Sequence, residues 1–347
     1  MSVHVLTVGG FLGAGKTTLI ARTARLLAAR GQRVVVVTND QAPDLVDTAL
    51  IQLDGVPAAE VSGACFCCAF TDFASKTREL IERHRPDVVL TEPVGSCVDI
   101  AATVLRPLAV HGGSDLYVAP FTVMVDPAAL RAVEAGTMDP ATAYIYRQQI
   151  READILVISK CDSTDGLDLI AAELVARAPS ATILRASAAT GEGVESWLDA
   201  VLASVEPGGG KRILVDYDTY AEGEAALGWL NATVELRGPA DWQTVLMKLM
   251  DGIALPGAAH LKCLLRSGEL VLVANQVSGR AQATLRVMAD GDPSPTAQVI
   301  INARIAAAPA TVRNAVESAI ARMGVLGTVK TIRAFAPGRP VPVHRMP

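Results

Sequence analysis

Gly10-Phe11-Leu12-Gly13-Ala14-Gly15-Lys16-Thr17, directly after the β-branched run Val3 to Val8 and directly before a helical pattern from Lys16 to Arg30, decides how this chain folds. The eight residues satisfy G-x-x-x-x-G-K-[ST] at every specified position, and strand, loop and helix come in the order the motif demands. Its physics is anion capture. Glycines let successive backbone N–H groups turn inward around a β-phosphate, and the helix N-terminus adds positive potential. Lys16 is placed to neutralise β and γ oxygens, and the Thr17 hydroxyl to coordinate Mg²⁺. Gly10, Gly13, Ala14 and Gly15 supply the cradle, with Thr18 next to the α-phosphate. No lysine precedes Gly10, which argues against a loop completed by a second lysine from across a dimer.

Outward from the loop, residues 1–206 alternate short strands with longer helical patterns, the arrangement of stacked βαβ units. Strands are expected at Val3–Val8, Arg33–Thr38, Asp87–Thr91, Phe121–Val125, Ile155–Ser159 and Thr182–Ala186. Several are unbroken Val/Ile/Leu runs, as strands covered on both faces require. The fold class is therefore α/β, a mainly parallel doubly wound sheet. Gly208-Gly209-Gly210 marks a linker over 207–212. From 213 to 336 the order becomes strand, helix, four strands, helix, strand, which reads as a smaller α+β domain of split-βαβ, ferredoxin-like type. The Pro-rich tail, 337–347, is expected to be irregular.

Composition agrees with two domains, since 347 residues at ~150 per domain gives about two. Lys+Arg 31 against Asp+Glu 36 leaves a net charge of −5 with no long like-charge run, so no nucleic-acid arm is expected. No apolar stretch approaches the ~18 residues of a membrane span, and the N-terminus reads as a strand and not a secretion signal. A cytoplasmic, reducing setting follows, in which six cysteines are not a disulfide framework.

Three further segments carry chemistry. Ser159-Lys160-Cys161-Asp162 resembles the N-K-x-D box of GTPases, with Ser159 in place of Asn. There the Asp162 carboxylate would accept hydrogen bonds from guanine N1–H and the 2-amino group, while the Lys160 stem lies along the base. Ser187-Ala188, after the next strand, is similar to the loop whose backbone N–H reads guanine O6. Glu92-Pro93-Val94-Gly95 ends a strand where a carboxylate can hold Mg²⁺ and a glycine N–H can meet a γ-phosphate. Asp40, in the pair Asn39-Asp40, is a candidate for metal or water positioning, or else part of a plain turn.

Cys65-Phe66-Cys67-Cys68 puts three soft ligands on one short loop between those segments. They are either a site for a Zn²⁺-like ion or buried packing thiols. Cys97 is an extra thiol beyond Gly95, either a fourth ligand or a small packing residue.

Taken in order, these motifs resemble the CobW-type GTPases, a metallochaperone family related to UreG and HypB. The likeness runs over the whole length: phosphate loop, acid after strand two, C-x-C-C loop, E-x-x-G, Val125-Asp126, Ala153-Asp154 leading to Ser159–Asp162, and a smaller C-terminal domain. It implies a P-loop NTPase fold and slow hydrolysis of GTP to GDP, with Mg²⁺ as cofactor. It further implies nucleotide-dependent capture and delivery of a transition metal of the zinc or cobalt class (Zn²⁺ or Co²⁺). It also implies a client metalloprotein or cofactor protein docking on the C-terminal domain, and admits a nucleotide-dependent homodimer. Ala64 stands where the family has Gly before its first Cys. Pro43-Asp44 replaces a second switch acid, and Pro93-Val94 replaces two hydroxyl residues. Two other readings are a GTPase chaperone for a corrinoid or other cofactor-bearing client, and a GTP-liganded metal sensor without significant turnover.

Overall fold

The computed structural model describes residues 2–346 apart from Asp44, Ser114, Ala254, Pro256, Gly257 and 278–282. The chain forms two compact units. The first comprises Met1–Gln41, Asp47–Gly223 and Arg339–Pro347, and the second Ala42–Val46 and Glu224–Gly338.

The first unit is built on β1 (Val3–Gly10), β2 (Val34–Asp40), β3 (Ala58–Ser62), β4 (Val88–Glu92), β5 (Leu116–Val118), β6 (Thr122–Val125), β7 (Ile155–Ser159) and β8 (Thr182–Ala186). Their order is β3-β2-β4-β1-β6-β7-β8, with β5 also on β1. Every pairing is parallel. β2, β4, β6 and β7 are buried along their whole lengths, the pattern of a sheet covered on both faces. Leu19, Ile20 and Leu27 of helix Lys16–Ala29, with Trp197 and Leu198 of helix Val194–Ala203, pack against Leu6, Val8, Val36 and Val157 to fill one layer.

Strand order reverses at β1, since β2 and β4 lie on one side of it and β6 to β8 on the other. In open parallel sheets ligands bind outside the carboxyl ends of the strands at such a switch point, and here that is where the glycine loop begins.

Two strands were not foreseen. β3 is an edge strand of mixed small and polar residues with no run to betray it. β5 and β6 share one lane along β1, Val3–Val5 pairing with Leu116–Val118 and Val8–Gly10 with Thr122–Met124. Pro120 lies between them, and having no N–H it cannot continue the ladder.

The glycine triplet is held in place. Gly208 N–H donates to Val118 O at 2.9 Å, Gly209 N–H to Asp154 Oδ2 at 3.0 Å, and Arg106 Nε donates to Gly209 O at 2.7 Å. A Cβ at Gly208 would run into the Ala119 carbonyl, so glycine serves close approach here. The units divide instead between Gly223 and Glu224. The tail has no regular structure yet is tied to the first unit. Val343 N–H donates to Cys67 O at 2.9 Å, Met346 N–H to Ala102 O at 2.9 Å, and Arg345 Nε to Asp99 Oδ2 at 2.7 Å.

The second unit is an antiparallel sheet of β9 (Gly228–Arg237), β10 (Ala258–Ser267), β11 (Leu270–Val277), β12 (Thr284–Ala289), β13 (Thr296–Ile305) and β14 (Leu326–Phe335). The order is β12-β11-β10-β13-β9-β14. β9 and β10 therefore run parallel with β13 between them, and β13 and β14 with β9 between them, giving two split βαβ units. β12 borders β11 at the sheet edge and is not a neighbour of β13.

Leu230, Ala232, Val234 and Leu236 of β9 pack under Trp242, Leu246 and Leu249 of helix Trp242–Ile253 and under Ile320 of helix Pro309–Arg322. Their period of two is that of a sheet with one face on a core. Intervening polar residues grip the segment 42–46. Asn231 Nδ2 donates to Pro43 O at 2.9 Å, and Val46 N–H donates to Asn302 Oδ1 at 2.9 Å. Asp44, singled out by sequence, lies outside the described residues. Among the described residues no helix is long and apolar enough to cross a membrane.

Candidate nucleotide and metal site

β1 delivers the chain to Gly10 at φ 125°, where a Cβ would meet Met124 O at 2.5 Å, so only glycine fits the turn into the loop. Gly15, at φ 97°, opens the helix with no side chain capping its first turn. Those N–H groups are the kind that bind an anion. Lys16 is buried at the loop, with Nζ donating to Phe11 O at 3.3 Å.

The Thr17 hydroxyl donates to Glu92 Oε1 at 3.0 Å, bringing together two oxygens that sequence placed 75 residues apart. A hydroxyl beside a carboxylate is a hard-donor pair suited to Mg²⁺. Gly95 is close by, since a Cβ there would lie 3.1 Å from Lys16 Nζ and 2.8 Å from Leu12 Cδ2. Asp40 closes β2 and is buried. Gln149 is a residue the sequence reading missed. Buried on helix Pro140–Glu152, it donates Nε2 to both Gly95 O and Cys97 O at 3.0 Å, so it braces the segment after Glu92. No motif signals it, because the match is between a side-chain amide and two remote carbonyls.

The base-reading segments leave adjacent strand ends, Ser159 of β7 being paired with Ala186 of β8. Ser159 Oγ donates to Val125 O at 3.2 Å, so the shortened side chain still ties this loop to β6. Lys160 is left-handed at φ 56°, and its Nζ pairs with Asp126 Oδ2 at 2.6 Å. Asp162 is exposed on the short turn Cys161–Ser163. The Ser187-Ala188 loop is held by Arg22, whose Nε donates to Ala188 O at 2.8 Å, and by Thr190 N–H donating to Ser187 Oγ at 3.1 Å.

The cysteine loop joins β3 to helix Phe70–His84. The Sγ atoms of Cys65, Cys67 and Cys68 all lie within 4.8 Å of one another, at 2.9 Å for Cys65–Cys67, 3.3 Å for Cys65–Cys68 and 3.7 Å for Cys67–Cys68. Tetrahedral ligation at Zn–S of about 2.3 Å sets sulfurs roughly 3.8 Å apart, so a small opening of the trio would admit the ion.

Cys65 is the thiol that its neighbours shift downward. Donation from Cys67, then Cys68 and Cys97, holds it well below the ordinary thiol range despite its burial. Cys67 is raised well above that range by Cys65 and Cys68 and by burial, and Cys68 is pushed up to about 11, chiefly by Cys65. Three soft donors this close together are a site that a borderline-soft cation fits by displacing thiol protons.

Asn39 sets the shape of this loop. Its Nδ2 donates to Val61 O at 2.9 Å and to Ala64 O at 2.8 Å, and its Oδ1 accepts from Phe66 N–H at 2.7 Å. The side chain therefore reaches from the end of β2 to both sides of Cys65, with Asp40 as the next residue. The sequence pair Asn39-Asp40 looked like turn chemistry. The signal that could have found the clamp is the burial expected of Asn following the Val34–Val37 run of a doubly covered strand. The tail closes the outer side, with Val341 N–H donating to Cys68 Sγ at 3.2 Å.

A parallel sheet with a phosphate loop at its switch point, a Thr–Glu pair and a three-thiol loop defines a P-loop nucleotide-binding protein with a soft-metal candidate site. Residues 4–184 match the family model described as CobW/HypB/UreG, nucleotide-binding domain, and the chain belongs to that family. It is 29% identical over 202 residues to hydrogenase maturation factor HypB of Azotobacter chroococcum, covering 57% of this chain and 59% of that protein. It is also 29% identical over 204 residues to zinc chaperone CobW of a Sinorhizobium species, covering 50% and 56%. The chain thus spans less than two thirds of the length of either relative. Among solved structures, HypB from Archaeoglobus fulgidus is similar at 22% identity and TM-score 0.43, over 58% of this chain and 89% of that one.

Proposed function

We propose that the chain binds GTP with Mg²⁺, hydrolyses it slowly to GDP, and uses the nucleotide state to bind and release a transition metal of the zinc or cobalt class. The observation that carries this is the Asn39 clamp, which ties the Cys65, Cys67, Cys68 trio to the strand end bearing Asp40. A shift of that strand end on γ-phosphate binding would be transmitted to the thiols through three hydrogen bonds. Lys16, Thr17, Glu92 and Gly95, with the backbone of Gly10 to Thr18, would hold the phosphates and Mg²⁺. Ser159, Lys160, Asp162, Ser187 and Ala188 would hold guanine. The metal is cargo, delivered in the cytoplasm to a client metalloprotein that docks on the C-terminal unit.

The test is an equilibrium metal titration with and without a non-hydrolysable GTP analogue, on wild type and Cys67→Ser. The analogue should change metal affinity, and by linkage the metal should change analogue affinity by the same factor. If neither the analogue nor the substitution alters metal affinity, the reading fails.

A further inference from the structure

We infer that Gln149 is a positioning residue for the γ-phosphate: from helix Pro140–Glu152 it sets where the segment after β4 meets the nucleotide, and so lets the chain tell a triphosphate from a diphosphate. The inference rests on the reading of the phosphate loop as a GTP site and assigns a residue that no motif of that site contains. Gln149 is 2% exposed. Its Nε2 donates to Gly95 O and to Cys97 O, both at 3.0 Å, so each amide hydrogen is used on one carbonyl. Its Oε1 is buried and has no hydrogen-bond partner among the described residues. A buried acceptor left unmet lowers stability, and methionine would fill the same space without that penalty. What the two N–H groups hold therefore accounts for this residue better than packing does, and breaches of a packing rule are expected at functional positions.

The grip is on peptide planes. Among the described residues every peptide bond is trans, and in a trans peptide the carbonyl and the following N–H point opposite ways. Holding Gly95 O and Cys97 O against the helix thus turns the N–H groups of Ser96 and Val98 away from it. Gly95 is also where this segment reaches the phosphate loop, since a Cβ there would lie 3.1 Å from Lys16 Nζ. A γ-phosphate neutralised by Lys16 has to be accommodated beside Gly95, whereas a diphosphate ends before it.

Helix Pro140–Glu152 takes its own position from the same loop. Tyr146, three residues before Gln149 and on the same helix face, is buried and meets the Phe11 ring edge-on, with centroids 5.9 Å apart. The Phe11 carbonyl in turn accepts from Lys16 Nζ at 3.3 Å. The Tyr146 hydroxyl donates to Asp126 O at 3.0 Å, and the Asp126 carboxylate holds Lys160 Nζ at 2.6 Å. One helix face therefore touches the phosphate loop at Phe11, the base-reading Lys160 by way of Asp126, and the segment after β4 through Gln149. Gln149 sets Gly95 against the very loop that binds the other phosphates. A fixed reference of this kind is what discrimination by a single phosphate group requires.

Calorimetric titration of GDP and of a non-hydrolysable GTP analogue into wild type, Gln149→Met and Gln148→Met tests the assignment. Gln148 is the neighbouring buried amide on the same helix, and its Nε2 donates instead to Leu214 O at 3.2 Å. Gln149→Met should weaken the analogue about tenfold more than GDP, the effect of losing one or two hydrogen bonds in one nucleotide state. Gln148→Met should move both nucleotides alike. An unchanged analogue-to-GDP ratio in Gln149→Met, or the same change of ratio in both variants, overturns the assignment. A second measurement needs no variant: in nuclear magnetic resonance of the wild type, the side-chain amide signals of Gln149 should shift between the GDP and analogue complexes by more than those of Gln148, and equal shifts overturn it. A wild type that binds neither nucleotide removes the GTP reading and this assignment with it, which an unchanged ratio does not, so the two failures are distinguishable.

Discussion

Asn39 makes three hydrogen bonds around the cysteine loop, two of them buried, and an alanine there would leave Phe66 N–H and the carbonyls of Val61 and Ala64 without them. Unmet buried polar groups cost about 1–3 kcal/mol each where water cannot reach them. Asn39→Ala should therefore lower stability by about 2–4 kcal/mol in denaturant unfolding and weaken metal binding more than nucleotide binding. Equal loss in both would count against the clamp. Gly95→Ala makes a second residue-scale prediction. Its methyl would stand 2.8 Å from Leu12 Cδ2 and 3.1 Å from Lys16 Nζ, at the expected γ-phosphate end. Affinity for a GTP analogue should fall further than affinity for GDP, as measured by calorimetric titration of each. Lys16→Ala should cost about 3 kcal/mol of triphosphate binding, roughly a hundredfold in Kd, because it removes a charge-assisted contact to two phosphates.

At the scale of elements, the tail is the clearest case of a segment that composition misdescribes. Its prolines and lack of apolar periodicity suggest a free end, and it does remain irregular. Its backbone nevertheless bonds Cys67 O, Cys68 Sγ and Ala102 O, and its Arg345 reaches the carboxylate of Asp99. Removing residues 339–347 should expose Cys68, which is half-buried with the tail in place, and speed its alkylation by iodoacetamide. The rate for buried Cys263 in the second unit should not change. Acceleration at both thiols would mean general unfolding and not an uncovered loop. The glycine triplet teaches the same lesson from the other direction. Three glycines permit freedom, but at Gly208 they permit close packing on the Ala119 carbonyl instead.

For the whole molecule, the second unit takes in residues 42–46, which begin two residues after Asp40 at the end of β2. Val46 N–H is held by Asn302 Oδ1 at 2.9 Å, and Asn231 Nδ2 holds the carbonyls of Ala42 at 3.2 Å and Pro43 at 2.9 Å. Asn302→Ala should lower hydrogen-exchange protection of the Val46 amide while leaving the β1 amides protected, because the lost bond is local to that segment. Uniform loss across the chain would contradict it.

What the sequence determined was local or periodic. The phosphate loop is one contiguous octapeptide whose strand-loop-helix order is itself the motif. The unbroken Val/Ile/Leu runs of β2, β4 and β7 specify a doubly covered parallel sheet because no strand half exposed to water could be so apolar. The split βαβ order of the second unit was legible for the same reason, as period-two and period-3.6 patterns in alternation. Tertiary structure decided what depends on side chains meeting across long separations. It paired Thr17 with Glu92 and Lys160 with Asp126, closed Asn39 around Cys65, braced Gly95 and Cys97 with Gln149, and set the tail on the cysteines. Each of these is one to three hydrogen bonds made by single residues, which leaves no periodic trace in the chain. Their geometry exists only after the sheet has fixed which strand ends are neighbours.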